Sequence, residues 1–275
     1  MKVPHFNSIE EINSSYRTLW KEYRKKSGLD GARKYLERWP IQYDTNIKSQ
    51  SLLFVGFNPS YDDGNKPLQL TDDAVLDDKL EIKKAIEDER TAQRGNAENK
   101  KERYSYYSVF PDISEAIGFG KEDWNHIDLL PFRQRAQGDL IGDFQLNTSI
   151  SEWFNGYTTE KELIRDCVGI FLGFIEYLIP KVVVVVNGFF SKLIIQHTGS
   201  NYLNNFKNSK VNDHDAKDVF SFYLLGSPNK NHRFLRIENK YPLLLSSMLT
   251  GQRALDLGSR ERLIWNIEQV LRMIA

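Results

Sequence analysis

Apolar positions near the start of the chain recur at helical intervals. Ser8 and Glu11 have capping-box spacing, and Ile12, Tyr16, Leu19, Trp20 and Tyr23 follow every three or four positions until Gly28; this predicts a helix with one buried stripe. A short second helix is expected over residues 32–39, stopped by Pro40. The period then changes. Residues 51–57 form a continuous apolar run closed by Gly56 and Asn58-Pro59, the mark of a short buried strand ending in a loop. Residues 72–90 are charged and weakly amphipathic, 94–101 read as a polar connection, and 104–119 as an aromatic helix-like segment. Residues 126–133 read as another short strand that opens into a loop.

Thr159 and Glu162 have capping-box spacing again, with Leu163, Cys167, Ile170, Phe171, Phe174 and Leu178 on the inner face of the helix that follows. Five consecutive valines, Val182 to Val186, suit a central strand covered on both faces. A helix is expected over 189–197, strands over 219–225 and 241–246, and a final helix capped by Ser259 with Leu263, Ile267, Val270, Leu271 and Ile274 inward. Strands separated by helices predict an α/β fold: a central, mostly parallel four-stranded sheet flanked by helices on both faces. The expectation is one domain over 1–275, with residues 1–48 as an N-terminal helical extension. In such a fold, ligands bind beyond the carboxyl ends of the strands.

Composition narrows the chemistry. Apolar residues make up 40% of the 275 positions, enough for a sizeable core, while 37 basic residues cancel 37 acidic ones, so any nucleic-acid contact must come from a local patch. Cys167 is the single cysteine and the five histidines are scattered, which argues against a zinc site; no metal and no cofactor are expected. The apolar stretch 167–186 is interrupted by Glu176, Pro180 and Lys181, and the first residues lack a signal-peptide core, so the expectation is a cytoplasmic protein with no membrane partner.

Gly56-Phe57-Asn58-Pro59-Ser60 resembles the first motif of the uracil-DNA glycosylase superfamily, a glycine, a variable residue, Asp or Asn, then proline. The resemblance implies that Asn58 positions the attacking water while Gly56, Phe57, Pro59, Ser60 and Tyr61 shape the base site. Asp128-Leu129-Leu130-Pro131 is similar to the segment in which some members place an Asn that reads the base edge. An amide offers a donor and an acceptor, whereas an ionised Asp128 offers acceptors only and would repel pyrimidine carbonyls unless protonated. A second reading has Asp128 pairing with Arg133 or Arg135 to order its loop.

The valine strand ending at Asn187 resembles the family's third core strand, which makes Asn187 a substrate-contact candidate, and Phe110 is a candidate ring for stacking on an extruded base. The family's late loop, usually carrying a histidine, corresponds most naturally to Ser246, Ser247, Met248, Leu249, Thr250, Gly251, Gln252 and Arg253, which contain none; Ser247, Met248, Leu249, Thr250, Gln252 and Arg253 are the candidate DNA contacts. Gly226-Ser227-Pro228-Asn229 near His232 is a competing assignment. The family implies a DNA glycosylase that extrudes a damaged or deaminated base and hydrolyses its N-glycosidic bond, with DNA as partner. The alternatives are a non-catalytic member that binds nucleic acid or a protein, and a hydrolase of nucleosides or nucleotides.

Overall fold

The computed structural model describes residues 3–29, 31–59, 76, 78–95, 103–134, 136–147, 158–191, 203–205, 221–225, 241–246, 248–249 and 257–274. In chain order its elements are α1 (Ile9–Arg24), α2 (Arg33–Leu36), β1 (Leu52–Gly56), α3 (Lys79–Arg94), α4 (Phe110–Ala116), β2 (Trp124–Asp128), α5 (Gln137–Asp143), α6 (Thr159–Leu178), β3 (Val182–Val185), β4 (Leu203–Asn205), β5 (Ser221–Leu225), β6 (Tyr241–Leu245) and α7 (Leu257–Ile274). The chain divides into two compact units that alternate along the sequence: Met1–Ile47, Phe57–Gly95 and Asp128–Tyr177 form the first, and Lys48–Gly56, Asn96–Ile127 and Leu178–Ala275 the second.

The first unit is built on helices and an aromatic core. Ser8 caps α1 as its spacing predicts, accepting from the Glu11 N–H at 3.2 Å, while the Glu11 carboxylate accepts from Asn7 N–H at 2.8 Å, one residue upstream of the usual partner. Tyr16, Trp20 and Tyr23 on the inner stripe are at most 1% exposed. Trp20 packs on Phe132 at 5.3 Å between centroids, Phe132 on Phe144 at 4.9 Å, and Tyr43 meets Phe174 edge-on at 4.8 Å. Burying one such ring stabilises the fold by roughly 1.5–3 kcal/mol, whereas an exposed pair such as Lys26–Glu162 is worth about 0–1. The rings therefore hold this unit together. On α6 a side chain at Gly173 would run into the Pro4 carbonyl and come within 2.8 Å of the Phe6 ring, so the N-terminal segment can lie against the helix only at a glycine.

The second unit carries the sheet, in the order β2-β1-β3-β6-β5-β4. The four strands β2-β1-β3-β6 are parallel, with Leu52 opposite Val182, Val55 opposite Val185, and Val183 opposite Leu243. Every residue of these strands is buried, which is why β1, β3 and β6 read as apolar runs rather than alternating ones, while β2 buries Asn125, His126 and Asp128 as well. The expected four parallel strands are thus present. β5 adds to β6 antiparallel and β4 to β5 antiparallel, so the sheet has six strands among the described residues. Phe110 at the start of α4 stacks on Phe54 of β1 at 4.1 Å and meets Trp124 of β2 at 5.2 Å, closing the core under the sheet.

Several local expectations change. The helix expected over 32–39 is the four-residue α2. Residues 104–119 split into a single 3-10 turn, Ser105–Tyr107, and α4, because Pro111 has no N–H to give to a preceding turn and suits only the start of a helix. Thr158, not Thr159, caps α6: its hydroxyl and carbonyl accept from Lys161 N–H at 3.4 Å and Glu162 N–H at 3.0 Å. Ser259 lies inside α7, which begins two residues earlier. The helix expected over 189–197 is present from 188 to 191, and its remainder lies outside the described residues.

Candidate functional site

Two strand-end segments of the first unit are stitched together by their backbones. Beyond β1 the chain runs through Phe57, Asn58 and Pro59, and beyond β2 it runs from Asp128 to Gln134. Leu130 N–H donates to the Phe57 carbonyl at 2.9 Å and Gln134 N–H to the Pro59 carbonyl at 3.1 Å. The Asn58 Nδ2 group donates to the Gln134 carbonyl at 2.9 Å and to the Pro59 carbonyl at 3.1 Å. Both partners are acceptors, so the amide orientation is fixed by its bonds and Oδ1 is left as the acceptor of this half-buried side chain. An outside brace completes the loop: Arg38 donates to the Arg133 carbonyl at 2.7 Å and to Gln134 Oε1 at 2.8 Å. The first two sequence motifs thus meet.

Asp128 is 2% exposed, and its backbone N–H donates to the Tyr43 hydroxyl at 3.3 Å. Burial pushes its carboxyl well above the usual carboxylate range; the nearby Glu89 charge adds to this and the Arg133 charge opposes it. Of the two expected partners of Asp128, Arg133 makes its ion pair elsewhere. The Arg133 guanidinium pairs with Glu89 Oε2 at 3.3 Å, with side chains only 16% and 6% exposed, while Gln93 Nε2 donates to Glu89 Oε1 at 3.1 Å. Arg135 lies outside the described residues. Two tyrosines complete the surroundings. Tyr16 and Tyr43 are buried with ring centroids 6.4 Å apart, burial and the Asp128 charge both raise their phenols, and the Tyr16 hydroxyl has no hydrogen-bond partner among the described residues. A protonated carboxyl offers one donor and one acceptor, the pair an amide would offer.

The remaining candidates fall in different places. Gly56, Phe57 and Pro59 are buried; Phe57 is 1% exposed and Phe110 0%, so neither ring has an open face for a base, and the expected base contact at Phe110 gives way to core packing between Phe54 and His126. Asn187, in the second unit, caps the helical turn that follows β3, its Oδ1 accepting from Phe190 N–H at 2.9 Å. Leu249 is 4% exposed and packs inward rather than presenting a wedge, while Met248 is half-buried. Ser60, Tyr61, Ser247, Thr250, Gln252 and Arg253 lie outside the described residues. His126 fills β2, 1% exposed among Tyr106, Tyr107 and Phe110, and burial lowers its imidazole to about 3.

Glu89, Tyr16, Tyr43 and Gln134, which lie around the two candidate residues, were not among the sequence candidates. Glu89 had one legible signal: Ala85, Glu89 and Gln93 recur every four residues and are the buried face of α3. A carboxylate on the inner stripe of a helix requires a partner.

Among the described residues no three His, Cys, Asp or Glu side chains are grouped to hold a metal ion, and no helix is long and apolar enough to cross a membrane. Compared with known proteins, the chain matches no family model and no curated sequence.

Proposed function

We propose that this chain is a uracil-DNA glycosylase-like hydrolase that takes an extruded, deaminated base and cleaves its N-glycosidic bond. The observation that carries the reading is the stitching of the Asn58 and Asp128 loops, which follow two neighbouring parallel strands, β1 and β2. Each residue then has a task suited to its environment. Asn58, its NH2 spent on two backbone carbonyls, accepts a hydrogen bond from the attacking water and aims it at the sugar carbon. Asp128 is the base-edge candidate: a protonated carboxyl carries the acceptor and donor that match the N–H and C=O edge of a deaminated base, and at 2% exposure the base must displace neighbouring groups to reach it. Protonation removes the repulsion that an ionised acid would exert on the base carbonyls.

An amide cannot take a proton from water near neutral pH, and the late loop holds no histidine to stabilise the departing base anion. Both features slow hydrolysis, and they favour, as the second reading, a member of the same fold that binds nucleic acid without cutting it.

Incubation of the protein with oligonucleotides containing uracil, hypoxanthine or a mismatch, followed by alkaline cleavage, separates these readings. Strand breaks at the modified position are expected. Binding without breaks would favour the non-catalytic reading, and release from free nucleosides but not from oligonucleotides would point to a nucleoside hydrolase.

A further inference from the structure

The N-terminal helices reach the Asn58 loop through one side chain. Arg38 follows α2, and a single nitrogen of its guanidinium, Nη1, donates to the Arg133 carbonyl at 2.7 Å and to Gln134 Oε1 at 2.8 Å. Gln134 passes the contact on. Its Nε2 group donates to Asp139 Oδ2 at 2.7 Å, its N–H donates to the Pro59 carbonyl at 3.1 Å, and its carbonyl accepts from Asn58 Nδ2 at 2.9 Å. Arg38 is itself held from α1: the buried Trp20 donates from Nε1 to the Arg38 carbonyl at 2.8 Å, and its ring packs on Phe132, the residue before Arg133. All of these residues belong to the first unit.

We propose that Arg38 is a positioning residue for Asn58, so that α1 and α2 take part in aiming the water. This rests on the reading of Asn58 as the group that orients it. The Asn58 amide takes its direction from the Gln134 carbonyl, and that carbonyl is only as fixed as the loop that carries it. Arg38 pins two consecutive residues of this loop with a charged donor, whose bonds are roughly twice as strong as neutral ones. Without that donor the Gln134 carbonyl can drift and Asn58 Oδ1 with it, and a displacement of about 1 Å in an orienting group costs up to about a hundredfold in rate. Arg38 touches neither water nor base.

The bonding pattern also predicts a rescue. Both bonds leave from one nitrogen, so a lysine ammonium, with three donors on one atom, can make them, whereas methionine keeps an apolar stem and has no donor.

The test is single-turnover release of uracil or hypoxanthine from an oligonucleotide by the wild-type chain, Arg38→Met, Arg38→Lys, Asn58→Ala and the double variant of Arg38→Met with Asn58→Ala. Side-chain amide NMR spectra accompany it, with Asn58→Ala identifying the Asn58 NH2 resonances. Arg38→Met is expected to slow release about tenfold and to shift those resonances, and Arg38→Lys to recover most of both. In the Asn58→Ala background, Arg38→Met is expected to cost less than about twofold, because a residue that acts through another then has nothing left to position. Gln134→Met removes the Oε1 acceptor from the other side and is expected to behave as Arg38→Met does, which keeps the test standing if Arg38→Met does not fold. A tenfold loss that persists in the Asn58→Ala background overturns the proposal, since general damage to the fold slows both backgrounds alike. So do Asn58 NH2 resonances that stay put in Arg38→Met, whatever the activity. Absence of release by the wild-type chain overturns the proposed function and with it the part of Arg38 in the reaction, while the NH2 shift still shows whether Arg38 sets Asn58.

Discussion

The side-chain amide of Asn58 is bonded to the backbone carbonyl of Gln134 at 2.9 Å, across 76 positions of sequence. That bond joins the two loops on which the functional reading stands, and it dictates what Asn58 can become. In Asn58→Asp a carboxylate would face the Gln134 and Pro59 carbonyls, acceptor against acceptor. Urea denaturation should show a loss of about 1–3 kcal/mol, the cost of breaking the bonds and crowding like dipoles. Unchanged stability would mean that the amide does not hold the loops.

Asp128→Asn keeps the donor and acceptor and removes the group that can ionise. Because burial raises the folded-state carboxyl above its ordinary value, the native chain holds a proton that the unfolded chain has lost, and stability falls as pH rises toward the folded-state midpoint. The variant should be more stable than the wild type at pH 8 and should handle uracil at least as well. Lower stability at pH 8 would show that Asp128 is an ionised, well-paired carboxylate.

His126 works in the opposite direction. Its imidazole is lowered from 6.5 to about 3 by burial, so between those values the unfolded chain takes up a proton that the folded chain refuses. Stability tied to this residue is fully present above pH about 6.5 and is lost as pH falls toward 3, by on the order of a few kcal/mol. Urea midpoints at pH 7 and pH 4.5 should differ less in His126→Phe than in the wild type; an equal difference would remove His126 from the acid response.

Phe110→Ala should cost about 3–5 kcal/mol, the range for deleting a buried aromatic ring, since Phe110 is 0% exposed. Base preference should stay unchanged among the molecules that remain folded. A change in preference with little loss of stability would restore Phe110 as a base contact.

Ile179, the residue after α6, is a β-branched side chain at φ +47° and 46% exposed. Glycine accepts that backbone region without strain, so Ile179→Gly should stabilise the chain by about 1 kcal/mol and raise Tm by about 2–4 °C in a thermal melt. A lower Tm would place the Ile179 side chain in a packing role.

The parallel strands were legible because burial on both faces leaves an unmistakable trace, a run such as Leu52 to Val55 or Val182 to Val185 with no polar interruption. Ser8 was legible as a cap because its geometry is local. β4 was not, since Leu203–Asn205 sits in a polar stretch and owes its place to pairing with β5. The candidate site was half legible. Asn58 and Asp128 announced themselves by type and by position at strand ends, yet nothing in the order of residues says that Arg133 pairs with Glu89, 44 positions away, rather than with the aspartate five positions before it. Ion pairing inside a protein is decided by which elements pack together, and a charged helix such as α3 conceals its buried Glu89 beside Glu81, Glu87 and Asp88, none of which is buried.

The proposed function gives Asn58 the task of aiming water from a loop fixed to the Asp128 segment. Single-turnover release of uracil or hypoxanthine from an oligonucleotide, measured for the wild-type chain and for Asn58→Ala with matching circular dichroism, tests it most directly. Alkali-labile sites should form with the wild type and about a hundredfold more slowly with the variant; equal rates would contradict the account.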